Sequence, residues 1–126
     1  MCHVLIIEDE PLVAMTIEDI LKSQGATSFE IVDTQEAAVS AAIANQPSII
    51  TSDVKLLEGT GPCAVAEIHR RVGPVPVIFI SGTPEECKPC NPPGSIITKP
   101  FTAQALIAAF RGVGVAAAQP NHPQPE

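Results

Sequence analysis

Short apolar runs alternate along the chain with segments whose apolar residues recur at helical spacing. The apolar runs predict strands at residues 3–7, 28–32, 48–52, 75–81 and 94–98, of which 28–32 is the weakest and would suit a sheet edge. The helical patterns cover residues 11–25, 34–46, 61–73 and 102–114. The best strands are apolar without alternation, which is typical of parallel strands covered on both faces. The predicted fold is therefore α/β, a flavodoxin-like doubly wound sheet of five parallel strands.

Polar residues stand where these predicted strands end. Glu8 and Asp9 follow the first strand, Asp53 follows the third, Ser81 ends the fourth and Lys99 follows the fifth. Ligands of open parallel α/β sheets bind outside the carboxyl ends of the strands, so these side chains should converge on one site. Three carboxylates in one cleft favour a hard divalent cation such as Mg²⁺. A carboxylate beside a metal is also a suitable nucleophile for phosphoryl transfer, which would place an acyl phosphate on Asp53.

Composition limits the possible partners and location. Hydrophobic residues make up 45% of the 126 positions, so the chain should fold as one domain, expected over residues 1–117. The polar, Pro-rich residues 118–126 are expected to form a disordered tail. A net charge of −7 without a basic cluster argues against nucleic acid. Without a signal-peptide layout or a long apolar run, we expect no membrane segment and a cytoplasmic location.

The sequence "CKPC" at residues 87–90 leaves a second chemistry open. Such a pair can be a redox couple or half of a zinc site. Cys2 and Cys63 lie in a predicted strand and a predicted helix, and they form no second pair of this kind. We favour structural thiols and keep a thiol redox protein as an alternative, with the role of Cys87 and Cys90 open.

Four motifs together resemble one known family. They are "IIEDE" after the first strand, "SDVKLLEGTG" around Asp53, "FISG" with Ser81 and "TKPF" with Lys99. In this order they resemble the receiver domain of two-component response regulators, over residues 1 to 116. The segments "LIIEDEP", "PVIFI" and "ITKPF" are most similar to the receiver half of alphaproteobacterial general-stress regulators.

The resemblance implies a role for each of these residues. Asp53 would accept the phosphoryl group, Ser81 would be the switch hydroxyl and Lys99 would contact the phosphoryl oxygens. Lys99 would also be joined to Pro100 by a cis peptide bond. The implied Mg²⁺ ligands are Glu8, Asp9, Asp53 and the backbone carbonyl of Lys55.

The sequence departs from the family pattern at three places. The usual aromatic switch residue is Ile96, and the usual proline four residues after the phosphoacceptor is Leu57, with Gly59 and Gly61 expected to keep that loop flexible. Four prolines lie between Ser81 and Lys99, so the helix that normally follows the fourth strand should be shortened or absent.

These features predict a stand-alone receiver domain, because no output domain follows the last helix. It would take phosphate from a histidine kinase or histidine phosphotransferase, act on a partner regulator, and be a switch rather than an enzyme. The outward face of the last helix, with Ile107, could dock a partner or a second copy of the chain. A receiver-like adaptor that never uses phosphate remains the other alternative.

Overall fold

The computed structural model describes residues 2–82 and 95–118, with residue 95 and residues 113–118 described by their backbone only. Within these residues the chain forms five strands and four helices in alternation. They are β1 (His3–Ile7), α1 (Pro11–Lys22), β2 (Ser28–Val32), α2 (Gln35–Ala44), β3 (Ile49–Ser52), α3 (Gly61–Val72), β4 (Val77–Ser81), β5 (Ser95–Thr98) and α4 (Ala103–Ala118). All neighbouring strands are parallel, in the order β2-β1-β3-β4-β5. The predicted doubly wound α/β fold is confirmed.

Several predictions fall on residues outside the described part of the chain. The shortened or absent helix between Ser81 and Lys99 concerns mainly residues 83–94, which also contain Cys87 and Cys90. The predicted tail concerns residues 118–126, of which 119–126 are not described. Among the described residues, none of the helices has the length and apolar character needed to cross a membrane.

Both faces of the sheet are covered, as the unbroken apolar runs predict. In β1, Leu5 and Ile7 pack toward α2 and α3, whereas Val4 and Ile6 pack toward α1 and α4. Every residue of β3 and β4 is buried. Leu106 of α4 is fully buried on the α1 side. Helices α1 and α4 therefore share one side of the sheet.

The strand register brings the carboxyl ends of the strands to one edge. Ile7, the last residue of β1, is paired with Ser52, the last residue of β3. Ser52 is in turn paired with Phe79 of β4, and Ser81 is paired with Thr98 at the end of β5. The residues that follow these strands therefore emerge close together.

The loops that leave this edge of the sheet after β2 and β3 each end at a threonine that caps the next helix. The Thr34 hydroxyl accepts a hydrogen bond from the Ala37 amide at 3.1 Å, and α2 begins there. The Thr60 hydroxyl accepts one from the Cys63 amide at 3.2 Å at the start of α3. Such caps satisfy amides that a helix leaves unpaired, and they stabilise the helix start by about 1 kcal/mol each. Thr60 therefore fixes the end of the loop that follows Asp53, and Thr34 fixes the end of the loop that follows β2.

Candidate phosphoryl and metal site

Three carboxylates meet at the carboxyl edge of the sheet. Glu8, Asp9 and Asp53 each offer an oxygen, and these oxygens lie within 4.8 Å of one another. The pairing of Ile7 with Ser52 explains this, since it puts the residues after β1 and the residue after β3 side by side. The Asp53 amide also donates to the Ile7 carbonyl at 2.8 Å. The structure thus brings together the acids that the sequence analysis selected.

Glu8 is the buried member of the cluster, with 3% of its surface exposed. Its Oε2 accepts hydrogen bonds from the Glu10 amide at 3.2 Å and from Lys99 Nζ at 3.3 Å. Among the described residues, its Oε1 has no hydrogen-bond partner. Burial raises the pKa of Glu8 to about 7, and the nearby negative charge of Asp53 adds to this rise, while Lys99 opposes it. A carboxylate here needs a further positive partner to stay ionised.

Asp53 is held in place but remains partly accessible to solvent. Its Oδ1 accepts a hydrogen bond from the Val54 amide at 2.7 Å, and its Oδ2 accepts one from Lys99 Nζ at 3.3 Å. The Asp53 side chain is 12% exposed, whereas that of Glu8 is 1% exposed. Asp53 is therefore the better placed of these two carboxylates to react with an incoming group.

Lys99 connects the carboxylates. Besides Glu8 and Asp53, its Nζ donates to Oε1 of Glu10 at 3.1 Å. Burial alone would lower the pKa of Lys99, but the hydrogen bond to Glu10 and the charges of Glu8 and Asp53 outweigh burial, so this pKa lies above its ordinary value. The Lys99–Pro100 peptide bond is cis, as the family resemblance implies. Lys99 is therefore a fixed cation at neutral pH.

Glu10 is a site residue that the sequence analysis did not assign. It is the third acid of "IIEDE", its side chain is 60% exposed, and it contacts Lys99 from the solvent side. An acid at the start of a loop is common on protein surfaces, so only the fold reveals this contact. Glu10 gives Lys99 a partner that does not belong to the buried cluster.

Ser81 and Lys55 lie at the ends of the same strands or in the loops that follow them, and their expected roles stay predictions. Ser81 is buried at the end of β4, and its carbonyl accepts a hydrogen bond from the Lys99 amide at 2.9 Å. Lys55 is exposed in the loop after Asp53 and forms an antiparallel bridge with Thr60. Ile96, at the position of the family's aromatic switch residue, is 47% exposed on the edge strand β5.

Gly59 and Gly61 are both closely packed, while the expectation that they keep this loop flexible stays a prediction. Gly59 has a φ of 80°, in the region that favours glycine, and a Cβ there would collide with the Gln35 side chain. A Cβ at Gly61 would collide with the Asp53 carbonyl oxygen and with Ser52 Oγ. Both positions need glycine because neighbouring atoms fill the space of a side chain.

The donor set fits a hard divalent cation. The oxygens in the cluster are all carboxylate oxygens, which Mg²⁺ prefers as ligands. Buried Oε1 of Glu8 accepts no hydrogen bond from the described residues, so it is free to bind a cation. Asp53 is partly accessible to solvent, and Lys99 supplies a cation beside it that can contact an anionic group. Chemically, this arrangement can hold a phosphoryl group beside a metal ion.

Comparisons with known proteins agree with this geometry. The sequence model of the response regulator receiver domain matches residues 4–111. The phyllosphere-induced regulator PhyR of Methylorubrum extorquens is 34% identical over 111 residues, which cover 86% of this chain and 42% of that protein.

Solved structures give the same result. The receiver domain of the PhyR response regulator from Erythrobacter litoralis is similar at a TM-score of 0.78 and 30% identity, covering 99% of this chain and 95% of that chain. The anti-anti-sigma factor PhyR from Bartonella quintana is similar at a TM-score of 0.74 and 33% identity, covering 90% of this chain and 48% of that chain. This chain thus spans less than half the length of the two longer relatives.

Proposed function

Because the chain belongs to the response regulator receiver family of two-component signalling systems, we propose that it accepts a phosphoryl group on Asp53 and thereby switches its protein-protein interactions. The similarity to a receiver domain and to the regulator PhyR supports a signalling switch rather than a metabolic enzyme. The phosphodonor would be a histidine kinase or a histidine phosphotransferase, and uptake and hydrolysis of the phosphoryl group would occur on the receiver itself.

One observation carries the proposal. The accessible carboxylate of Asp53 shares the Lys99 ammonium group with buried Glu8, and both acids lie with Asp9 in one cluster of oxygens. A purely structural ion pair would not need a cluster of three carboxylates beside one lysine, because like charges at this distance repel. The surplus of negative charge is suited to a bound cation.

The chemistry follows from the side chains. An oxygen of Asp53 forms the new O–P bond while the P–N bond of a phosphohistidine donor breaks, and its electron pair stays with the imidazole, which takes up a proton. Lys99 donates to the phosphoryl oxygens once the transfer has begun. Glu8, Asp9, Asp53 and the Lys55 carbonyl would hold Mg²⁺. When bound, this ion neutralises the negative charge that gathers on the phosphoryl oxygens.

Ser81 is proposed as the switch hydroxyl. It is buried at the end of β4, and its own carbonyl is hydrogen-bonded to the Lys99 amide. A phosphoryl group that draws the Ser81 hydroxyl toward Asp53 would therefore act on the ends of β4 and β5 together. With Ile96 in place of the aromatic residue, this movement would pass through the backbone rather than through a rotating ring.

We propose the surface of α1 beside Lys99 as the docking face for the phosphodonor. A groove of about 550 Å³ there is lined by Leu12, Thr16, Lys99, Pro100 and Phe101, among others. Leu12 is 78% exposed and Met15 is 57% exposed, although both side chains are apolar. Apolar side chains exposed beside a reactive site favour a protein partner. A partner regulator, as the name anti-anti-sigma factor of one relative suggests, is our proposal for the output.

Labelling with a small phosphodonor tests the proposal. Wild type treated with acetyl phosphate and Mg²⁺ should gain the mass of one phosphoryl group, whereas Asp53→Asn and wild type in EDTA should not. Asp19→Asn is the matched control, because Asp19 is an exposed aspartate on α1. Labelling of Asp53→Asn equal to wild type would overturn the assignment. Absence of labelling in wild type would favour the phosphate-independent adaptor.

A further inference from the structure

The loop after Asp53 is fastened to the start of α2. The Gln35 amide donates to the Glu58 carbonyl at 3.0 Å, and the Leu57 amide donates to the Asp33 carbonyl at 3.3 Å. The Thr60 amide donates to the side-chain oxygen Oε1 of Gln35 at 3.2 Å. Two loops about 25 residues apart in sequence are therefore joined by three hydrogen bonds.

The residues around this junction fit it closely. The Gln35 side chain lies against Gly59, where any Cβ would collide with it. Leu57 stands where the family usually has proline, and a proline has no amide hydrogen to donate to Asp33. Leu57 thus allows a hydrogen bond to Asp33 that a proline could not make, and Gly59 leaves room for the Gln35 side chain.

The junction fixes the outer part of the loop, whereas the inner part is held by the core: Val54 is buried, and its carbonyl accepts a hydrogen bond from the Gly61 amide at 2.8 Å. Lys55, Leu57, Glu58 and Gly59 are all exposed. Inside the loop, the Leu56 amide donates to the Gly59 carbonyl at a long 3.4 Å. The exposed residues 57–59 would therefore move more readily without the hydrogen bonds to residues 33 and 35.

We propose that Gln35 is a positioning residue for the phosphoryl and metal site. Its side-chain oxygen holds Thr60 and so keeps residues 54–60 in the conformation that presents Asp53 and the Lys55 carbonyl to Mg²⁺. This inference rests on the proposed function of the site. Among the described residues, the Asp53 side chain bonds to Val54 and Lys99 rather than to Gln35, so Gln35 would act through Thr60, which pairs with Lys55.

Two substitutions separate the hydrogen bond from the bulk of the side chain. Gln35→Met keeps the length but removes the acceptor, whereas Gln35→Glu keeps an acceptor oxygen for the Thr60 amide. Calorimetric titration of Mg²⁺ into the unphosphorylated proteins should give a Kd that rises about threefold to tenfold in Gln35→Met, the range that one net hydrogen bond allows. The Kd of Gln35→Glu should stay at or below that of wild type. Gln46 is an exposed glutamine in the α2–β3 loop, and Gln46→Met should leave the Kd for Mg²⁺ unchanged.

The outcomes are decisive in each case. If Gln35→Met is too unstable to titrate, Gln35→Ala replaces it, since alanine is a good helix former. A wild-type Kd in a folded Gln35→Met or Gln35→Ala protein would overturn the inference, as would equal weakening in Gln35→Glu. A wild type that does not bind Mg²⁺ would overturn it together with the metal site. Labelling of Asp53→Asn would refute the phosphoacceptor but leave the Mg²⁺ titrations of the Gln35 variants unaffected.

Discussion

The ammonium nitrogen of Lys99 lies 3.3 Å from Oδ2 of Asp53, although the two residues are 46 positions apart in the chain. Strand β4 lies between the strands that carry them, so the lysine side chain reaches across the end of β4. The same nitrogen also binds Glu8 and Glu10. Lys99 therefore offsets only part of the negative charge of the resting site, and an incoming phosphoryl group must compete with three carboxylates for it.

Replacing Lys99 should separate phosphoryl chemistry from metal binding. We expect Lys99→Met to be labelled by acetyl phosphate about 100-fold more slowly, since a lost donor to developing charge typically costs this much or more. Mg²⁺ should still bind, because the three carboxylates remain. Rates come from intact mass over time, with Lys22→Met on the surface of α1 as the control. A wild-type labelling rate in Lys99→Met would contradict the role of this lysine.

The sequence predicts the acids of this site well because strand ends are visible in it. Apolar runs mark where β1 and β3 stop, and parallel pairing then places Glu8, Asp9 and Asp53 together without further information. The contacts of Glu10 and Gln35 could not be predicted in the same way. Each is a polar residue at the exposed start of a helix or loop, and its partner is determined by how two loops fold above the sheet. The sequence shows that the loop with Leu57 and Gly59 departs from the family pattern, but only the fold shows which residues these two contact.

Removing Asp9 should abolish the effect of Mg²⁺ on stability. A ligand that binds only the native state adds RT ln(1 + [L]/Kd), which is about 2.7 kcal/mol at 100 times Kd. The thermal midpoint of wild type should therefore rise with Mg²⁺, and that of Asp9→Ala should hardly change. Asp19 is an exposed aspartate on α1, and the thermal midpoint of Asp19→Ala should rise with Mg²⁺ as in wild type. Equal rises in wild type and Asp9→Ala would exclude a metal site that depends on Asp9.

Without metal, stability should fall as pH rises, because of Glu8. The pKa of Glu8 rises from 4.5 to about 7 in the folded state, so the native protein binds more protons than the unfolded chain between these values. The free energy of unfolding should then decrease from pH 4.5 to pH 7, by roughly 2 to 3 kcal/mol from this group. Urea unfolding in EDTA at several pH values measures this decrease in the free energy of unfolding.

The Glu8→Gln variant isolates this contribution. Glutamine carries no titrating group, so the difference in stability between variant and wild type should change over the same pH range, while contributions from other groups cancel. Added Mg²⁺ should flatten the wild-type profile, because the ion favours the ionised carboxylate. If wild type and Glu8→Gln show parallel pH profiles in EDTA, Glu8 does not titrate in this range.

Docking of the phosphodonor should depend on Leu12 but small-donor labelling should not. Leu12 is 78% exposed at the edge of the groove that contains Lys99. A glutamate there puts a charge into an apolar contact, and loss of a residue at the desolvated centre of an interface costs about 2 kcal/mol or more in binding free energy. We expect Leu12→Glu to reduce transfer from the cognate histidine kinase about tenfold or more, with unchanged labelling by acetyl phosphate.

Ile43→Glu provides the matched control for this surface. Ile43 is 49% exposed on α2, on the side of the sheet opposite to α1, so a glutamate there should leave kinase transfer unchanged. Native mass measured on the same samples shows whether α1 and α4 instead hold a second copy of the chain, in which case Leu12→Glu would reduce self-association. Equal transfer to wild type, Leu12→Glu and Ile43→Glu would show that the kinase binds elsewhere, because an apolar contact at α1 could not accept the buried charge.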